Sequence, residues 1–98
     1  MTTSYTRLYV HLIWGTFDRA PVLDARRARR VHGLLDRICL ARGCQAYAVG
    51  GIEDHVHALV ALHPSVAVAD LVRALKVGTS QFVAHRLNVP GFSWQEGY

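Results

Sequence analysis

From Tyr5 to Phe17 apolar and polar positions alternate, with Leu8, Val10, Leu12 and Trp14 on one face and Tyr5, Arg7, Tyr9 and His11 on the other. That period of two predicts a half-buried β-strand. Asp18-Arg19-Ala20-Pro21 breaks it. Asp24 suits a helix N-cap, and from Ala28 the apolar residues Val31, Leu34, Leu35, Ile38 and Ala41 recur at helical spacing, with Arg26, Arg27, Arg30 and Arg37 mostly off that stripe. Gly43 is expected to end this helix. Cys44 to Val49 reads as a second strand closed by Gly50-Gly51. Glu53 and Asp54 then make the turn into a third strand over residues 55 to 62, where Val56, Ala58, Val60 and Leu62 oppose His55, His57 and Leu59. After His63-Pro64-Ser65 a second helix follows, its buried stripe Val68, Leu71, Val72, Leu75 and Phe82, with Arg73, Lys76 and Ser80 aligned on another. Gly78 inside it costs ~1 kcal/mol relative to Ala. Asn88-Val89-Pro90-Gly91 is a turn, and Phe92 to Tyr98 reads as the first half of a fourth strand.

This order of elements is the split-βαβ plan: an α+β, ferredoxin-like fold with an antiparallel sheet and two helices on one face. The first and third strands lie side by side in that plan. If their aliphatic faces meet the helices, His11, His55 and His57 project from the opposite, uncovered face together with Arg7, Tyr9 and Leu59. Something should cover that face in the working protein.

The 98 residues suit a single domain, 1–98, and the half-apolar composition argues against intrinsic disorder. No apolar run approaches the ~20 residues of a membrane-spanning helix, and Met1-Thr2-Thr3-Ser4 lacks a signal-peptide pattern, so a cytoplasmic protein with no membrane partner is expected. Lys plus Arg outnumber Asp plus Glu by 11 to 7, and ten of the eleven bases are Arg. Arg grips phosphate bidentately, which makes a nucleic-acid partner compatible with the charge without requiring one. Cys39 and Cys44 read as two reduced thiols.

The chemistry concentrates in His55-Val56-His57. Residues two apart on a strand share a face, so both rings can reach one point, where a divalent ion would fit. The bland alternative is a pair of imidazoles decorating a strand. His11 is open in the same way, as support for the site or as a hydrogen-bonded structural histidine. Asp54 either orients a His ring from behind or serves the turn's backbone. His32, His63 and His85 match no motif and are expected on the solvated surface. Trp14 shares the aliphatic face and is expected in the core.

Four stretches taken together resemble the N-terminal part of the single-tyrosine HUH transposases of small insertion sequences and their REP-associated relatives. They are Tyr9-Val10-His11-Leu12-Ile13-Trp14, Asp54-His55-Val56-His57, Leu71-Val72-Arg73-Ala74-Leu75-Lys76 with Thr79-Ser80, and Trp94-Gln95-Glu96-Gly97-Tyr98. They span nearly the whole chain in the right order. The resemblance implies a single-stranded DNA endonuclease and strand-transferase that acts in transposition through a tyrosine nucleophile. It makes His55 and His57 ligands of a divalent metal, magnesium or manganese, with His11 and Asp54 as support. It also implies single-stranded or hairpin DNA as partner, for which Arg73, Lys76, Ser80 and Arg19 are candidate contacts. A homodimer is expected.

The departure from the family is as informative. There the nucleophile lies on a further helix beyond the fourth strand, whereas Tyr98 matches a different tyrosine, and Tyr5, Tyr9 and Tyr47 lie on strands. No catalytic tyrosine is therefore assigned, and the chain reads as C-terminally truncated and inactive as it stands. The reading from another class is a non-catalytic ferredoxin-like nucleic-acid-binding module.

Overall fold

A computed structural model describes residues 8–96. Three strands, β1 (Leu8–Gly15), β2 (Gln45–Ile52) and β3 (His55–Leu62), form an antiparallel sheet in the order β1-β3-β2, with helices α1 (Ala25–Ala41) and α2 (Val68–His85) completing the α+β architecture. The first three expected strands and both expected helices are present. The Tyr5 and Arg7 positions expected on the first strand lie outside the described residues.

The central strand β3 divides its side chains without exception. Val56, Ala58 and Val60 are buried against Val31 and Leu35 of α1 and Leu71, Leu75 and Val83 of α2. His55, His57 and Leu59 therefore face away from both helices, as the alternation predicts. Asp24 caps α1 by accepting the Arg27 amide at 2.8 Å, and Gly43 follows the helix with φ of 74°, a left-handed position that favours glycine. Gly78 has a packing reason: a Cβ there would approach Ile38 Cδ1 of α1 to 2.8 Å, so glycine lets the two helices close.

Three expectations need correction. β2 runs on to Ile52 through Gly50-Gly51, which pair with His57 and Val56 instead of closing the strand, and the turn is Glu53-Asp54 alone. Phe82 is only half-buried, because it lines an open cavity between the helices, where the Arg30 guanidinium lies 5.3 Å from its ring centroid. The segment from Phe92 onward makes one β-bridge, Thr16 to Trp94, among the described residues, and no full strand.

Side chains hold that segment where a ladder was expected. Trp94 packs edge-on to Trp14, at 5.9 Å between centroids, and to Phe92, at 4.9 Å, while its indole N–H donates to buried Thr79 Oγ1 at 2.9 Å. Thr79 in turn donates to the Leu75 carbonyl at 2.6 Å. Replacing Thr79 by the isosteric valine keeps the shape and strands the Trp94 N–H inside the protein, which costs about 1–3 kcal/mol. Urea unfolding of Thr79→Val should show that loss with an unchanged denaturant slope. A variant as stable as the parent would remove the anchor from the account.

Candidate metal and phosphate site

The face that the helices leave bare gathers its polar side chains at one end. Gly15 of β1 pairs with His55, and Gly50 of β2 pairs with His57, so each histidine stands beside a position with no side chain. The His55 and His57 rings are 6.3 Å apart between centroids and tilted by 30°, nearly stacked. His11, one strand over, meets His57 edge-on at 5.7 Å.

A chain of polar contacts continues from there. The Nδ1–H of His55 donates to Asp54 Oδ1 at 3.0 Å, which leaves Nε2 with its lone pair for another partner. Arg19 reaches the other Asp54 oxygen, Oδ2, from Nε at 3.4 Å. The His55 hydrogen bond first of all holds the Asp54 carboxyl below the usual carboxylate range; partial desolvation opposes this, and the Arg19 charge adds to it. Arg19 arrives through a 3-10 turn, Phe17–Arg19, in which Asp18 and Arg19 take φ of 55° and 53°. Left-handed backbone at two successive non-glycine residues costs on the order of 1 kcal/mol each and marks sites where position matters more than local stability. Thr16 secures the turn, its carbonyl accepting the Arg19 amide at 3.0 Å and its hydroxyl donating to the Ala20 carbonyl at 2.8 Å.

Two imidazoles on one ion at about 2.1 Å per nitrogen have centroids roughly 5 Å apart in a tetrahedral or octahedral arrangement, and about 6.5 Å only when the nitrogens oppose each other across the ion. At 6.3 Å the pair thus presents two rings on one face that would have to draw closer to share an ion. Among the described residues no group of three His, Cys, Asp or Glu side chains converges as a complete ligand set, so the pair offers two ligands.

Of the candidate residues, the structure brings together His11, Asp54, His55, His57 and Arg19. It separates Arg73, Lys76 and Ser80, which sit on α2 in the layer behind the sheet. Arg73 is 3.8 Å from Asp70, the Lys76 ammonium donates to the Gln95 carbonyl at 2.6 Å, and the Ser80 hydroxyl donates to the Val77 carbonyl at 3.1 Å. Tyr9 and Tyr47 meet at 5.6 Å between rings, and Tyr9 pairs with Ala61, four residues or ~13 Å along β3 from His57. Tyr5 and Tyr98 lie outside the described residues. Trp14 is buried as expected, and Cys39 and Cys44 are free, buried thiols. His63 and His85 are exposed, whereas His32 is half-buried on α1, its charged form disfavoured by burial and then by His57. That coupling corrects the surface reading of His32.

Two features escaped sequence reasoning. Arg86 joins Arg30, Arg37, Gly33 and Phe82 around a cavity of about 490 Å³ between the helices, with no periodicity to announce it. Gly50 looked like punctuation, although a glycine inside a strand also marks close approach of another group.

The comparisons with known proteins agree on one family. A model of IS200-like transposases matches residues 4–98. The ISDra2 transposase TnpA of Deinococcus radiodurans is 33% identical over 81 residues, a match taking in 81% of this chain and 58% of that protein. The chain thus spans less than two thirds of that relative's length. Among solved structures, a Deinococcus radiodurans R1 protein assigned as a transposase superposes with a TM-score of 0.80 at 24% identity, over 100% of this chain and 85% of that one. A REP-associated tyrosine transposase bound to a REP hairpin superposes with a TM-score of 0.66 at 15% identity, over 98% and 59% respectively. These two likenesses show the fold.

The Asp54 contact yields a direct test. A carboxyl whose pKa is depressed by folding contributes stability at neutral pH that is lost as pH falls through the folded value. NMR titration of the Asp54 carboxyl carbon should give a midpoint below the ordinary ~3.9, and His55→Asn should raise it. A midpoint at or above the ordinary value would break the link between Asp54 and His55.

Proposed function

The chain belongs to the IS200-like transposase family, and from that premise we propose that its open sheet face binds a divalent ion and single-stranded DNA for cleavage and rejoining during transposition. The observation that carries the reading is the histidine pair on β3, near-stacked on one face, with Asp54 fixing the tautomer of His55. His55 and His57 would hold the ion, magnesium or manganese, while His11 supports the His57 ring from its edge. An ion held there would supply charge withdrawal from the phosphoryl oxygens of the scissile phosphate. Arg19 grips the same phosphate beside His55, and Asp54 restrains its guanidinium.

Tyr9 lies ~13 Å along the sheet from His57, too far to attack a phosphate held there, and the Tyr47 ring is turned onto Tyr9. The attacking tyrosine, which the family chemistry joins to DNA as a 5′-phosphotyrosine with release of a 3′-hydroxyl, is neither of them. DNA beyond the cleaved bond meets the helical layer, where Arg73 and Lys76 on α2 and the arginines around the interhelical cavity supply positive charge and Ser80 a hydroxyl. Hairpin DNA, the ligand named for the REP-associated relative, is the partner this arrangement suits.

The end of the open face away from His55 exposes Tyr9 to 47% and Tyr47 to 52%. An apolar patch of that kind is usually covered, and a second copy related by a twofold axis is its occupant, giving a homodimer. Among the described residues no helix is long and apolar enough to cross a membrane.

Manganese added to labelled protein should broaden the imidazole NMR signals of His55 and His57 before those of His63 and His85; broadening confined to the latter two sinks the metal site. The same preparation, given manganese and a single-stranded oligonucleotide, should yield no covalent protein–DNA band that Tyr9→Phe or Tyr47→Phe abolishes.

Light scattering at micromolar concentration should give twice the chain mass, and Tyr9→Lys should halve it. A parent protein that is monomeric and soluble would contradict the covered face.

A further inference from the structure

We infer that Gly15 and Gly50 are positioning residues of the site, each leaving the sheet bare where one functional side chain must lie flat. Arg19 rests over Gly15, and the His57 ring rests over Gly50. The inference builds on the reading of His57 as an ion ligand and Arg19 as a phosphate contact.

Glycine inside a strand weakens it, so its presence beside both histidines calls for a reason. Backbone conformation does not supply one. The positive-φ glycines among the described residues are Gly43, Gly51 and Gly91, and neither Gly15 nor Gly50 is among them. Space is the reason that remains. A Cβ on Gly50 would stand 2.9 Å from Cε1 and 3.0 Å from Nε2 of His57, closer than such atoms settle. A Cβ on Gly15 would stand 3.1 Å from a terminal nitrogen of Arg19 and 3.4 Å from the Asp54 carbonyl oxygen.

The character of these contacts predicts what alanine would do. At Gly50 the added methyl meets a ring at the end of a side chain, and at Gly15 it meets first the far end of an arginine. The side chain moves and the strand stays. Gly51 differs, because its φ is 142° and a Cβ there would run into the His55 carbonyl oxygen of the backbone. The His57 ring has little freedom to adjust, since Gly50 lies under it and His11 meets it at 5.7 Å. Pushed off its seat, it leaves the near-stacked arrangement with His55. Arg19, pushed off Gly15, leaves Asp54 and the phosphate position beside His55.

Two variants with crossed readouts test the assignment: manganese affinity from imidazole line broadening, and metal-free affinity for a labelled single-stranded oligonucleotide by fluorescence anisotropy over a salt series. Gly50→Ala should weaken manganese binding at His55 and His57 at least tenfold and leave DNA affinity within twofold. Gly15→Ala should leave manganese affinity within twofold and lower the salt dependence of DNA binding by ~0.7, the loss of one phosphate contact on a single strand. Arg19→Ala should do the same, and Gly15→Ala/Arg19→Ala should be no worse than Arg19→Ala alone, because both remove one interaction. A Gly50→Ala protein that binds manganese like its parent overturns the seat for His57, and an unchanged salt dependence in Gly15→Ala overturns the seat for Arg19. Variants that each lose both readouts together would make the two glycines merely structural and overturn the proposal. A parent protein that binds neither manganese at these histidines nor DNA would overturn the functional reading itself, and the seats with it.

Discussion

The alternation of β3 is the constraint on which the rest depends. Val56 and Val60 are fully buried and Ala58 nearly so, which ties one face of the strand to both helices. A slip of one residue would send three apolar side chains to the surface and two imidazoles into the core, an exchange no small domain could withstand. Core packing therefore sets the register, and the register sets the histidines. Neither His55 nor His57 needs an interaction of its own to face outward, because their neighbours already decide it. The histidine pair is held by the side chains on the opposite face of its own strand.

The same reasoning explains why the histidine face was legible in the sequence and its surroundings were not. Periodicity reports which face a residue occupies, and it placed β3, the Glu53-Asp54 turn and the side of His11 correctly. Depth and lateral contact leave no periodic trace. His32 sits on α1 with nothing in its spacing to distinguish it from a surface histidine, yet it is half-buried and senses His57. Gly50-Gly51 carried the composition of a turn, and only the pairing with β3 shows the strand passing through it. The fourth strand failed as an expectation because Trp94, read as one position in an alternating run, is instead a core anchor whose indole and hydrogen bond to Thr79 decide where the segment goes.

Among the described residues, positive φ occurs at glycines and also at Asp18, Arg19 and Asn88. Gly43 and Gly91 take it where glycine does so at no steric cost, at the end of a helix and in a turn. Asp18 and Arg19 take it without that freedom, in the turn that folds Arg19 back over the sheet toward Asp54. A structural loop of this length could have joined β1 to α1 with ordinary dihedrals. That the strained version places a guanidinium beside His55 is what links the strain to the site.

Charge is distributed to match this geometry. Among the described residues Arg19 lies beside the open face, engaged with Asp54, whereas Arg26, Arg30, Arg37 and Arg86 are exposed on the helical layer. A concentration of positive charge directly around the imidazoles would repel a divalent ion, and the Asp54 carboxylate beside His55 does the opposite. Basic residues one layer away lie behind the ~10 Å thickness of packed sheet and helix, about a Debye length at physiological salt, so their charge is felt little at the histidine pair. The sheet thus separates an arginine-rich helical surface from a histidine-bearing face, and the buried face of β3 is what keeps them apart.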